Sequence, residues 1–186
     1  EYRISSKTER FIARDLEWFK EIGIEFQKVY VLGKDIYSQE EMKNILINAN
    51  VIFLMSGFAV QQNQFLEENG LKEIIRDANG IGISAGAINL GKISVCSKDT
   101  LKGIEKTSIY KGIGRIDYTF EPHFNMERDF ELNPELKYIS SRIKLYGISN
   151  DIGIKISDNK YEVIEGHMYI IEHKNVKEVG EFDRCC

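Results

Sequence analysis

Residues 80–90 read Gly80-Ile81-Gly82-Ile83-Ser84-Ala85-Gly86-Ala87-Ile88-Asn89-Leu90. An apolar run ends in a serine set among small residues, and a helix-forming segment follows. Gly82, Ser84 and Gly86 complete a G-x-S-x-G, the pattern of a nucleophile elbow. The steric logic is direct. A serine on a sharp strand-to-helix turn has a strained backbone and brings the chain close to itself, and glycines two before and two after remove the Cβ atoms that would clash. The helix that follows turns its free N–H groups toward the serine, where an oxyanion develops in acyl transfer. The alternative is a glycine-rich βα turn without chemistry, and the five residues alone do not separate the two.

The totals narrow the class. A chain of 186 residues is expected to form one domain with a sizeable core. With 42% hydrophobic and 29% charged residues it has the composition of a globular protein. A net charge of −4 and a pI near 5.5 argue against nucleic acid or an anionic membrane as partner. No apolar run reaches the length of a membrane span, and no signal-peptide pattern is visible. Of three cysteines, Cys96, Cys185 and Cys186, two are adjacent, which does not make a disulfide framework; the expected compartment is the cytoplasm. Cys, His and carboxylates show no metal-ligand spacing, so neither metal nor cofactor is expected.

Outward from the elbow, the first half alternates helices and strands. Ser5–Glu21 carries Phe11, Ile12, Leu16, Phe19 and Ile22 at helical spacing, and Gly23 ends it. Lys28–Leu32 reads as a strand. Ser38 and Glu41 form a capping box for a helix running to about Asn48. Val51–Met55 is wholly apolar, as in a parallel strand buried on both faces, and breaks at Ser56-Gly57. Helices over Val60–Glu68 and Leu71–Ala78 precede the strand Ile81–Ile83. This rhythm predicts an α/β fold with a mostly parallel central sheet and helices on both faces, and sites beyond the carboxyl ends of its strands. The second half predicts β-like segments at Ile93–Val95, Tyr110–Gly114 and Ile116–Phe120 and a helix over Pro134–Lys144. Short strands follow at Leu145–Ser149, Ile152–Ser157, Tyr161–Glu165, Met168–His173 and Val176–Gly180.

A serine hydroxyl needs a base. Among His123, His167 and His173, the first follows an apolar strand and a proline and is the candidate; the other two read as surface residues. A third group would orient the imidazole, and Asp99, Glu121 and Asp151 all qualify on position. For the oxyanion hole, elbow logic supplies the Ala85 N–H, and Gly57, just past an apolar strand, is the natural second donor.

These residues resemble those of the peptidase E (aspartyl dipeptidase) and cyanophycinase family of serine peptidases, whose fold is like the class I glutamine amidotransferases, a flavodoxin-like three-layer sandwich. The likeness rests on Val51–Gly57 with Gln62, Phe65-Leu66 and Gly70-Leu71, on the elbow Gly82–Ala87, on Asp99, and on Glu121-Pro122-His123-Phe124. Gly147-Ile148 occupies the place of the family's G-I-D-E. The resemblance covers roughly residues 6–156. It implies Ser84 as nucleophile, His123 as base and Asp99 as orienting acid, with Gly57 and Ala85 as oxyanion donors and Phe58 and Arg128 in substrate binding. It also implies a small-peptide substrate and a monomer or homodimer. The family opens with a strand before its first helix, and this chain begins after that point, so a single domain lacking that strand is expected.

Two departures stand out. The family's G-G-G-N or S-G-G-N loop is here Ser56-Gly57-Phe58-Ala59, and Ser149-Asn150 replaces its D-E pair. The first reading is therefore a dipeptidase E-like serine hydrolase with a Ser-His-Asp triad. The second is a catalytically impaired member acting as a binding or regulatory protein. A glutamine amidotransferase would carry cysteine at the elbow, and Cys96 reads instead as a small core residue.

Overall fold

The structure is a computed structural model that describes residues 6–99, 103–131 and 133–179. Cys185 and Cys186 lie outside the described residues. The chain divides into two compact units, one ending at Ala49 and the other beginning at Asn50.

The first unit holds α1 (Ser6–Glu21) and α2 (Gln39–Ile47). Gly23, at φ +82°, stops α1: its N–H reaches the Lys20 carbonyl and that of Ile24 the Phe19 carbonyl, a Schellman ending. Ser38 caps α2 as the sequence predicts. The Ser38 N–H donates to Glu41 Oε2 at 2.8 Å while Ser38 Oγ accepts from the Glu41 N–H at 3.3 Å. The Ser38 hydroxyl and N–H hold the Glu41 carboxyl below its usual range. Residues 28–32, expected as a strand, form no ladder; alternating apolar residues become a strand only beside a strand partner, and Val29 and Tyr30 are exposed here.

The second unit is mixed α/β. In chain order it contains β1 (Ile52–Leu54), α3 (Ala59–Glu68), α4 (Lys72–Asp77), β2 (Gly80–Gly82), α5 (Ala85–Leu90) and β3 (Ile93–Cys96). β4 (Ser108–Lys111), β5 (Phe120–Pro122), a π-helical turn (Met126–Glu131), α6 (Pro134–Ser140) and β6 (Leu145–Ile148) follow. β7 (Gly153–Ser157), β8 (Lys160–Glu165), β9 (Met168–Glu172) and β10 (Asn175–Val179) complete it. The expected single, mostly parallel sheet is not what the ladders form. β1–β2 is a parallel pair, β3–β4 and β7–β8 are antiparallel pairs, and a four-stranded sheet runs β10-β9-β6-β5 with only β5–β6 parallel. The strands around the elbow are only three residues long, so each pair makes only a few rungs.

β6 is buried along its whole length between β5 and β9. Around it lie two apolar clusters, one with Tyr118, Phe120, Tyr146, Tyr161 and Met168, the other with Val95, Phe124, Leu136, Leu145 and Ile171. The hairpins close on two-residue turns, Asp158-Asn159 and His173-Lys174, all four at positive φ, as the tight turn between twisted strands demands.

The glycines of the elbow have measurable reasons. A Cβ on Gly86 would overlap the Leu54 carbonyl, and one on Gly82 would come within 2.9 Å of the Ala87 nitrogen. Gly80 has no such constraint: its Cβ would meet nothing closer than the Ile52 carbonyl oxygen at 3.4 Å. Gly86→Ala is expected to cost about 3 kcal/mol or more, and Gly80→Ala under about 1 kcal/mol, in urea unfolding. Equal costs would contradict the close approach of α5 to β1.

Candidate active site

β2 delivers the chain to Ser84, whose backbone sits at φ +51° and ψ −106°. Such values are strained for a residue with a side chain, by about 1–3 kcal/mol. The turn is held by the Ile83 N–H bonding the Leu54 carbonyl at 3.0 Å and by α5 beginning at Ala85. Thirty-nine residues later, β5 ends at Pro122 and His123 takes φ +62°, a left-handed conformation that histidine adopts more readily than most. Ser84 Oγ and His123 Nε2 are 2.8 Å apart. The structure thus brings these two predicted residues into hydrogen-bond contact.

The other ring nitrogen meets a residue that stands in the place of the family's D-E pair and was not expected to serve as a partner. His123 Nδ1 lies 2.5 Å from Asn150 Oδ1. Asp99, expected beside the imidazole, lines the same cleft and helps, after the hydrogen bonds that Arg128 donates to Asp129, to hold the Arg128 guanidinium charged. Strand pairing explains the contact with Asn150. β5 and β6 are parallel with Pro122 beside Ile148, so the residues that leave these two strands emerge side by side. Asp99 instead follows β3 and makes an isolated antiparallel bridge with Ile104. Glu121 accepts from the Ser97 hydroxyl, and Asp151, exposed, is kept below the usual carboxyl range first by the Ser149 hydroxyl. Position after a strand was visible in the sequence for Asn150 as it was for His123. Its uncharged side chain does not mark it as a partner for an imidazole.

Gly57 and Ala85 both line the cleft, as do Asp99 and Arg128. Gly57 stands at φ +139°, open to glycine alone among common residues, and a Cβ there would meet nothing within 4 Å. Ala85 is the first residue of α5, so its N–H has no acceptor within the helix. Phe58 is 63% exposed and caps α3 without a side-chain hydrogen bond. Arg128 is engaged: Nε and Nη2 donate to Asp129 at 2.6 and 2.9 Å, and Nη2 also donates to the His123 carbonyl at 3.1 Å. It therefore braces the histidine turn. Cys96 is buried beside Ala59 and Ala85. His167 pairs with Glu178 at 2.7 Å on the surface, and His173 occupies a hairpin turn. Among the described residues no His, Cys, Asp and Glu group has the geometry to hold a metal ion. Nor is any described helix long and apolar enough to cross a membrane.

A buried polar network ties the Gly57 loop to the elbow helix. Asn89, fully buried on α5, donates from Nδ2 to the Ala59 carbonyl and to Gln62 Oε1, both at 2.9 Å, and accepts from the Tyr110 hydroxyl at 2.9 Å. Gln62 in turn donates to the Met55 carbonyl at 2.9 Å. The loop from Met55 to Ala59 is pinned at both ends. Burial pushes the Tyr110 hydroxyl well above its ordinary pKa, so it stays a donor.

Fold and site define an α/β protein with a serine–histidine pair at a strand-to-helix elbow. The chain belongs to peptidase family S51, whose model matches residues 3–164, and it is accordingly a serine-type peptidase, a hydrolase. Its fold is similar to that of a peptidase from an acI-B1 Actinobacterium, at 18% identity and TM-score 0.69, covering 97% of this chain and 78% of that one. A protein assigned to peptidase E from Listeria monocytogenes EGD-e shares 17% identity at TM-score 0.51, covering 88% of this chain and 74% of that one. No curated protein sequence matches.

Asn89→Ala strands the Gln62 and Tyr110 groups and is expected to destabilise the protein by about 2–4 kcal/mol, read by chemical unfolding. A change under about 0.5 kcal/mol would show that the network holds nothing.

Proposed function

We propose that the protein hydrolyses small peptides, with Ser84 as nucleophile and His123 as general base. The observation that carries this is the 2.8 Å contact between Ser84 Oγ and His123 Nε2 at the mouth of a cleft of about 430 Å³. A cleft of that size suits a ligand of a few residues rather than a folded chain. The Ser84 hydroxyl gives its proton to His123 Nε2 as Oγ bonds the substrate carbonyl carbon. The carbonyl oxygen becomes an oxyanion facing the Gly57 and Ala85 N–H groups. The imidazolium then protonates the leaving amine, and water repeats the sequence to release the acyl group. Asp99 remains on the cleft wall as the acid the family resemblance assigns to this site, and Phe58, exposed next to Gly57, offers an apolar surface to a substrate side chain. Arg128 serves binding through the turn it braces. The same reading extends to architecture: we read the parallel pairs β1–β2 and β5–β6 as parts of the central sheet of a class I glutamine amidotransferase-like sandwich.

A dipeptide and tripeptide library, assayed for released amine, is expected to contain substrates whose turnover falls at least about 10³-fold in Ser84→Ala. Gly57→Ala, forced from φ +139°, is expected to lower kcat by about 10² or more through the displaced oxyanion donor. Turnover that survives Ser84→Ala would end this reading.

A further inference from the structure

We propose that the third member of the site is Asn150: an uncharged amide, in the place where a carboxylate is the usual partner, holds His123 in its working tautomer and orientation. The inference deepens the proposed function and rests on Ser84 and His123 acting as the reacting pair.

Proton bookkeeping fixes the amide's orientation. For Nε2 to take the Ser84 proton it must carry a lone pair, so in the neutral ring the proton sits on Nδ1. That N–H requires an acceptor. Asn150 offers one, Oδ1 at 2.5 Å, whereas its NH₂ end would set donor against donor. The contact is therefore specific for one tautomer of histidine and one rotamer of asparagine.

The backbone holds both partners rigidly. The Phe124 N–H bonds the Ile148 carbonyl at 3.0 Å, closing the histidine turn onto the end of β6. The corner before Asn150 is clamped by a reciprocal pair: the Ser149 N–H donates to the His167 carbonyl and the His167 N–H to Ser149 Oγ, each at 3.0 Å. From the other side Arg128 holds the His123 carbonyl. Nothing in this arrangement needs a carboxylate to place the ring.

What the amide does not provide is charge. When Oγ gives up its proton the ring becomes imidazolium, and Asn150 faces it with a dipole rather than an anion. The charged groups that line the cleft with His123 are Lys98, Asp99, Glu121, Arg128, Asp129 and Glu135, and Asp151 follows Asn150 in the chain. All of them persist when Asn150 alone is changed, so an Asn150→Asp exchange isolates the missing charge. The two side chains are isosteric, and position 150 is exposed, so neither this exchange nor Asn150→Ala threatens the fold.

The test is ¹⁵N NMR of the His123 imidazole in the full chain, alongside the pH dependence of labelling by a fluorophosphonate probe. In wild type the neutral ring is expected as the Nδ1–H tautomer. Asn150→Ala is expected to redistribute it toward Nε2–H and slow labelling at least about tenfold. Asn150→Asp is expected to keep the tautomer but stabilise the protonated ring, moving the rising limb of the labelling profile up by about one pH unit or more. The tautomer is expected to persist in Asp99→Asn. An unchanged tautomer in Asn150→Ala, or its loss in Asp99→Asn instead, overturns the proposal and returns the role to Asp99. If the NMR follows Asn150 while no variant and no wild type labels at Ser84, the peptidase reading fails and the positioning by Asn150 stands.

Discussion

The close passage of α5 over β1 is the constraint on which the site depends. Gly86 packs against the Leu54 carbonyl so tightly that no side chain fits, and Gly82 packs under the first turn of the helix. That contact forces the chain to reverse within two residues of β2, and Ser84 absorbs the reversal at φ +51°. The strain is local, and the surrounding hydrogen bonds and the burial of Ala85 and Ala87 outweigh it. Because the turn is sharp, Oγ projects beyond the strand end instead of lying along the helix. There it meets a histidine that arrives on a separate strand by a comparable device, a left-handed residue immediately after β5.

From this constraint the rest of the site is placed in pairs. Parallel strands deliver their following residues to the same end, so β1 and β2 bring the Gly57 loop next to Ser84, and β5 and β6 bring His123 next to Asn150. Asn89 and Gln62 then fix the height of the Gly57 loop over α5 with buried hydrogen bonds. A buried amide network costs stability if any member is left unpaired, which makes it an exacting way to position a loop.

Much of this was legible in the sequence. The elbow declared itself because only glycines satisfy its contacts, and His123 because a strand end and a proline preceded it. The capping box at Ser38 and Glu41 and the hairpin turn at Asp158-Asn159 were equally local and equally readable. What was not legible depends on pairing across the chain. Residues 28–32 have the composition of a strand but form no ladder, and the single parallel sheet divides into several small ladders. Asn150 is hard to read for a chemical reason: an amide carries no charge to mark it as an imidazole partner, and only strand register decides which side chain reaches Nδ1.

The proposed chemistry requires Ser84 Oγ to be the atom that bonds the substrate carbonyl carbon. Its most direct measurement is rapid quenching of the protein with an activated acyl ester, followed by intact-mass and peptide mapping. One acyl group per chain is expected on the peptide containing Ser84, formed in a burst and absent from His123→Ala on the same timescale. Acylation at another residue, or at Ser84 with undiminished rate in His123→Ala, would contradict it.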